Sequence, residues 1–113
     1  MLSPAGWYLA VVPIDLRCGI DRLLVQVQAE LGRDPRDGGA YVFRNRAATR
    51  IKVLCVDAQG AWLSVRRLHE GRFVWPRVGD ALCTLSPAQF AWLSAGVDWQ
   101  RLSLRIEGLP NGV

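Results

Sequence analysis

The 113-residue chain has no apolar run approaching the roughly 18 residues that a membrane-spanning helix needs. Met1 to Ala10 places no basic cluster ahead of its apolar residues, so it does not read as a secretory leader. Both absences lead to the expectation of a soluble, cytoplasmic protein with no membrane partner. Cysteine is scarce. Cys18, Cys55 and Cys83 are odd in number, far apart and without a C-x-x-C pair, which argues against a disulfide framework and against a thiolate zinc site. They read as reduced thiols in or near a core. Histidine occurs once, as His69. It stands beside Glu70 in an expected loop, with no nucleophile and orienting group to complete a triad. Between Tyr41 and Arg77 the carboxylates are only Asp57 and Glu70, whereas two-metal phosphoryl transfer needs several acids clustered together. Neither G-x-x-x-x-G-K-[ST] nor G-x-G-x-x-G occurs. The sequence thus offers no catalytic residue, no metal ligand and no cofactor site, and the chain reads as non-enzymatic.

Half of the residues are hydrophobic and 21% are charged, a globular composition. Without internal repeat or linker, residues 1–113 read as one domain, with an ordered core over about 7–106 and a frayed tail at 107–113. Trp7 to Val12, ended by Pro13, reads as a strand. Asp15 is placed as a helix N-cap. Ile20, Leu23, Leu24, Val27 and Leu31 then draw one apolar stripe, and Gly32 fits the terminating position. Tyr41–Arg44, Arg50–Val56 and Ala61–Leu68 read as strands. They are joined by a turn at 45–49 and by the Asp57-Ala58-Gln59-Gly60 loop, where Gly60 is available for positive φ. Leu82–Leu85 adds a possible edge. Ser86, Pro87 and Gln89 form a capping box with Pro at N1, flanked by Leu85 and Phe90 as a hydrophobic staple. That helix ends at Gly96. Leu102, Leu104 and Ile106 alternate with polar residues as a short strand or extended tail. The expected fold is α+β: an antiparallel β-meander of three to five strands with two main α-helices packed on it.

Positive charge is local. Arg44, Arg46, Arg50, Lys52, Arg66, Arg67, Arg72 and Arg77 fall between residues 41 and 77 against two acids, while the remainder holds six cations and eight anions. Thirteen of the fourteen cations are arginine, whose planar fork matches phosphate or carboxylate. Arg50 and Lys52 share parity on one strand. Hairpin geometry brings Arg44 and Arg46 to the same end, and the third strand returns Arg66 and Arg67 towards them. One positive surface is expected, able to neutralise phosphates. Two other readings stand beside it: a charged sheet edge kept soluble, and a surface for an acidic partner protein. Among five tryptophans, Trp7 and Trp92 read as core, whereas Trp75, in Arg72-Phe73-Val74-Trp75-Pro76-Arg77, combines aromatic and arginine as interface hot spots do.

Arg67-Leu68-His69-Glu70-Gly71-Arg72-Phe73-Val74-Trp75-Pro76 resembles the signature of the TnpB-type accessory proteins of the insertion sequence 66 (IS66) transposon family. Asp15-Leu16-Arg17-Cys18-Gly19-Ile20-Asp21, Val42-Phe43-Arg44-Asn45-Arg46, Arg50-Ile51-Lys52-Val53-Leu54, Leu85-Ser86 and Val97-Asp98-Trp99 resemble further segments of that family, in the same order. The likeness spans about residues 7 to 100. It implies an accessory protein of bacterial transposition, encoded beside a larger transposase, associated with DNA or with that transposase, and without an established catalytic site. Arg44, Arg46, Arg50, Lys52, Arg66, Arg67 and Arg72 are then the candidate nucleic-acid contacts. Arg72, Phe73, Trp75 and Arg77 are the candidate partner contacts, and a protein–protein adaptor without DNA contact is the alternative. The chain departs from the family at Cys18, where lysine is usual. It departs at Cys55-Val56, where tryptophans often stand, and at Ala47-Ala48-Thr49, which replaces a turn rich in Gly and Asp.

Overall fold

A computed structural model describes residues 4–77 and 79–101. Along the chain come β1 (Trp7–Ala10), α1 (Ile20–Glu30), β2 (Ala40–Arg44), β3 (Arg50–Val56), β4 (Ala61–Arg67), β5 (Leu82–Leu85) and α2 (Pro87–Ser94). A helical turn follows at 99–101. One sheet holds all five strands in the order β4-β3-β2-β1-β5. The α+β expectation holds, and β2, β3 and β4 form the antiparallel meander. The sheet as a whole is mixed, because β1 pairs parallel with β2. The cause is the connection. α1 intervenes between β1 and β2, and a helical crossover returns the chain to the end it left, which a hairpin cannot do. β5 pairs antiparallel with the other side of β1.

The two helices cover opposite faces. Leu23 and Val27 of α1 pack with Ala10, Tyr41, Phe43 and Leu54. Leu93 of α2, Phe73 and Trp99 pack with Leu9, Val42, Ile51, Val53 and Cys55 on the other face. β2 lies between both layers, which is why Ala40-Tyr41-Val42-Phe43 is continuously buried instead of alternating.

Local signals at the helix ends divide. Ser86 and Gln89 form the full capping box with Pro87 opening α2. Phe90 stacks on Trp7 with ring centres 3.8 Å apart. Gly32 and Gly96 take left-handed φ values of 65° and 76° as α1 and α2 end. Asp15, in contrast, does not cap α1. The cap position is Gly19, without a side-chain bond, and Asp15 instead orders the preceding turn by accepting from the Arg17 N–H at 3.0 Å. Gly60 does not take positive φ. The Asp57 carboxylate makes the turn by accepting from the Gln59 and Gly60 N–H groups, each at 2.9 Å. Leu102, Leu104 and Ile106 lie outside the described residues.

An aromatic–ionic lock ties the end of the α1 crossover to the sheet. The Tyr41 hydroxyl donates to the Asp37 carboxylate at 2.6 Å and accepts from Arg33 Nε at 3.1 Å. Arg33 pairs with Asp37 at 2.9 Å and lies 4.0 Å over the Tyr8 ring. Burial, reinforced by the Asp37 bond, pushes the Tyr41 hydroxyl up to about 12, so it remains a donor across the ordinary pH range. Tyr41→Phe should lower unfolding free energy by about 1–2 kcal/mol in urea titration, since it strips a part-buried carboxylate of one donor. Unchanged stability would show that the hydroxyl is idle.

Candidate nucleic-acid interface

Asn45 builds the turn at the cationic end of the sheet. Its side-chain oxygen accepts from the Thr49 N–H at 2.9 Å and the Arg50 N–H at 3.1 Å, and its amide donates to Thr49 Oγ1 at 3.0 Å. Within that turn Ala48 adopts a left-handed φ of 57°, a conformation that costs an L-residue roughly 1–2 kcal/mol. Ala48 is held there by burial and by its carbonyl, which accepts from the Phe73 N–H at 2.7 Å. The Leu68 N–H donates to the Thr49 carbonyl at 3.1 Å. The chain leaving β4 therefore lies along the β2–β3 turn and brings Arg72 to the same end of the sheet as Arg46.

Strand register assigns each cation a face. Arg50 stands opposite Arg67 and Lys52 opposite Val65, whereas Ile51 stands opposite both Arg66 and Arg44. Ile51 belongs to the core on the α2 side. Arg44 and Arg66 thus share that face, and Arg50, Lys52 and Arg67 occupy the α1 face. The expectation of one surface uniting all of them is corrected. Arg66 and Arg67 are neighbours on a pleated strand and diverge, so the cations gather at one end of the sheet but divide across it.

The two groups are engaged differently. Arg44 donates through Nη1 to the Arg46 carbonyl at 3.1 Å and lies 5.7 Å from the Trp75 ring centre. Its buried Nε finds no partner among the described residues. Burial, with a smaller push from Arg46, lowers its pKa. Arg66 Nε donates to the Ser94 carbonyl at the end of α2, at 2.5 Å. On the α1 face, Lys52 donates to the Cys18 carbonyl at 3.0 Å. Arg46, Arg50, Arg67 and Arg72 are exposed. Among the described residues the ion pairs are Arg17–Asp15 and Arg33–Asp37, so none of those carboxylates neutralises any of the seven candidate cations.

A concavity completes the α1-side group. A cleft of about 390 Å³ is lined by Asp15, Leu16, Arg17, Asn45, Arg50, Lys52 and Val65. A second, of about 470 Å³, shares Asp15, Leu16 and Asn45 with it and adds Arg46. The Asp15–Arg17 loop is their common wall. Arg17 is not apparent from the sequence because its contribution comes from a loop distant along the chain. Its charge is largely offset by Asp15 at 2.8 Å.

The Arg72–Arg77 segment serves the fold as well as the surface. Phe73 is 3% exposed. The Trp75 indole donates to the Ala10 carbonyl at 2.9 Å, and Trp99, also buried, donates to the Val74 carbonyl at 2.7 Å. Arg72 and Arg77 are exposed. The outward tryptophan is Trp62 on β4, 57% exposed. Edge position decides this, and composition does not reveal it.

A family model described as IS66 Orf2 like protein matches residues 5–104. The chain is 41% identical over 93 residues to the uncharacterized protein y4hO of Sinorhizobium fredii (strain NBRC 101917 / NGR234), covering 82% of this chain and 81% of that protein. It is 36% identical over 105 residues to the uncharacterized protein y4jC of the same strain, covering 93% and 90% respectively. No solved structure matches.

Hydrogen bonds from the Arg17 side chain, then its backbone N–H, hold the Asp15 carboxyl at about 2. A depressed carboxyl contributes above its unfolded value, near 4, and that contribution is lost as pH falls towards 2. Carbon-detected NMR titration should therefore place the Asp15 midpoint near 2 in the intact chain. Arg17→Ala should return it towards the ordinary value; an unmoved midpoint would mean that Arg17 does not order this wall.

Proposed function

Because the chain belongs to the IS66 Orf2-like family, a family of transposition-associated accessory proteins, we propose that it grips DNA phosphates through the cleft lined by Arg50 and Lys52, with Arg67 opposite Arg50 and Arg46 in the adjoining cleft. It does so as a non-enzymatic partner of the element's transposase. The observation that carries this reading is the direct opposition of Arg50 and Arg67. Two like charges facing each other across an antiparallel pair repel and weaken the ladder, yet no acid within the described residues relieves them. A phosphate between them would, and arginine's fork suits that geometry. Concavity adds a second support: Asp15 is paired with Arg17, which leaves Arg50 and Lys52 to give the cleft a net positive lining. Arg44 and Arg66 lie on the far face with bonds of their own, and Arg72 is exposed at the same end of the sheet.

The contact envisaged is to the backbone, independent of base sequence. The transposase remains the natural source of catalysis and of end recognition. An adaptor role without DNA contact has less support, because Phe73 and the Trp75 indole already hold the fold.

Duplex binding followed by fluorescence anisotropy across a salt series should show log affinity falling linearly with log salt. Arg50→Ala combined with Arg67→Ala should flatten the slope by about 2, one for each phosphate no longer neutralised. Arg44→Ala should leave the slope almost unchanged. Absence of binding at low salt, or a slope indifferent to Arg50 and Arg67, would rule the reading out.

A further inference from the structure

β4 closes one side of the sheet, and no described strand pairs with its outer edge. The strand is seven residues long, none of them buried. Trp62 is 57% and Val65 60% exposed, on opposite faces. An edge of this length with outward apolar groups is a template for another strand.

The pattern on that edge selects a specific occupant. The Asp57 N–H bonds the Gly60 carbonyl at one end of the β3–β4 pair, and the Leu68 N–H bonds the Thr49 carbonyl at the other. In an antiparallel ladder the bonded positions alternate. Trp62, Ser64 and Arg66 therefore direct their main-chain groups at β3, while Ala61, Leu63, Val65 and Arg67 direct theirs outward. A second β4 laid antiparallel about a twofold axis at Ser64 matches those outward groups in full: Ala61 with Arg67, and Leu63 with Val65. It uses the whole strand, and a shift of the axis to Leu63 or Val65 leaves residues unmatched at the ends.

Side chains agree with this register. Trp62 and Arg66 lie on one face, and the axis sets Arg66 of each copy beside Trp62 of the other, a cation–π pair made twice. Val65, 60% exposed in the single chain, meets the half-buried Leu63 of the other copy on the opposite face. Like charges stay apart, since Arg66 and Arg67 face Trp62 and Ala61.

We propose that two copies of this chain pair through β4, antiparallel about Ser64, into one continuous sheet. The interface is narrow, at the small end of specific protein contacts, so association is concentration-dependent and weak. Each chain carries a net charge of +4, and screening of that repulsion makes added salt strengthen pairing. DNA-phosphate binding responds to salt in the opposite sense, so the two proposals can fail separately.

Sedimentation equilibrium of the full chain without DNA should show a monomer–dimer equilibrium. Trp62→Ala should weaken it about tenfold, since symmetry removes both cation–π pairs at once. Ser64→Lys, which sets two ammonium groups on the axis, should abolish it. The register is tested independently by cross-linking. Across a non-bonded antiparallel pair, residues on the axis lie about 4.5 Å apart between Cα atoms, within disulfide range. Mild oxidation of Ser64→Cys should give a covalent dimer, whereas Ala61→Cys and the unaltered chain should not. A monomer at every concentration, a dimer indifferent to both Trp62→Ala and Ser64→Lys, or no Ser64→Cys cross-link would overturn the proposal.

Discussion

The register between β3 and β4 is the constraint on which the surface of this protein depends. It is fixed at one end by the Asp57 turn and at the other by the Leu68–Thr49 bond. Side chains alternate along a strand, so a slip of one residue would exchange every group between the faces. It would carry Arg67 away from Arg50 and turn Trp62 and Arg66 together towards the α1 face. The basic cleft and the paired edge are therefore two consequences of one alignment. Both follow from hydrogen bonds at the two ends of the β3–β4 pair.

The turns show how this alignment is held under strain. Ala48 occupies a left-handed conformation that glycine would adopt more cheaply. Asn45 offsets that cost with three side-chain bonds inside the turn, and Phe73 anchors the Ala48 carbonyl from the other side. The Phe73–Trp75 segment thus acts from the core outwards, clamping the cationic turn at the end of the sheet. Phe73 is buried and Trp75 half-buried, so these two aromatics pack within the fold while Arg72 and Arg77 stay outside.

Much of this architecture is legible in the sequence because it rests on local chemistry. Ser86-Pro87-x-Gln89 specifies the start of α2, Gly32 and Gly96 mark helix ends, and the meander follows from short polar loops between β-rich runs. Three features are not local. The parallel pairing of β1 with β2 depends on where a crossover helix delivers the chain. Asp15 has the composition of a helix cap, but Arg17 two residues on claims its carboxylate for a tighter turn. The division of the cations follows from strand parity only once Arg50 is known to oppose Arg67, and register between strands is set by tertiary contacts. Trp62 and Arg17 are hidden for the same reason: their importance lies in what surrounds them.

Arg50 and Arg67 face each other without a counter-charge among the described residues, leaving a site that an anion would stabilise. The most direct measurement of this is the unfolding free energy of Arg67→Glu and Arg66→Glu in urea, at low and high salt, without nucleic acid. Arg67→Glu should convert a repulsive cross-strand pair into an attractive one and gain up to about 1 kcal/mol at low salt, a gain erased by screening. Arg66→Glu, on the other face and bonded to the end of α2, should lose stability. Equal behaviour of the two variants, or destabilisation by Arg67→Glu at low salt, would contradict this picture of the cleft.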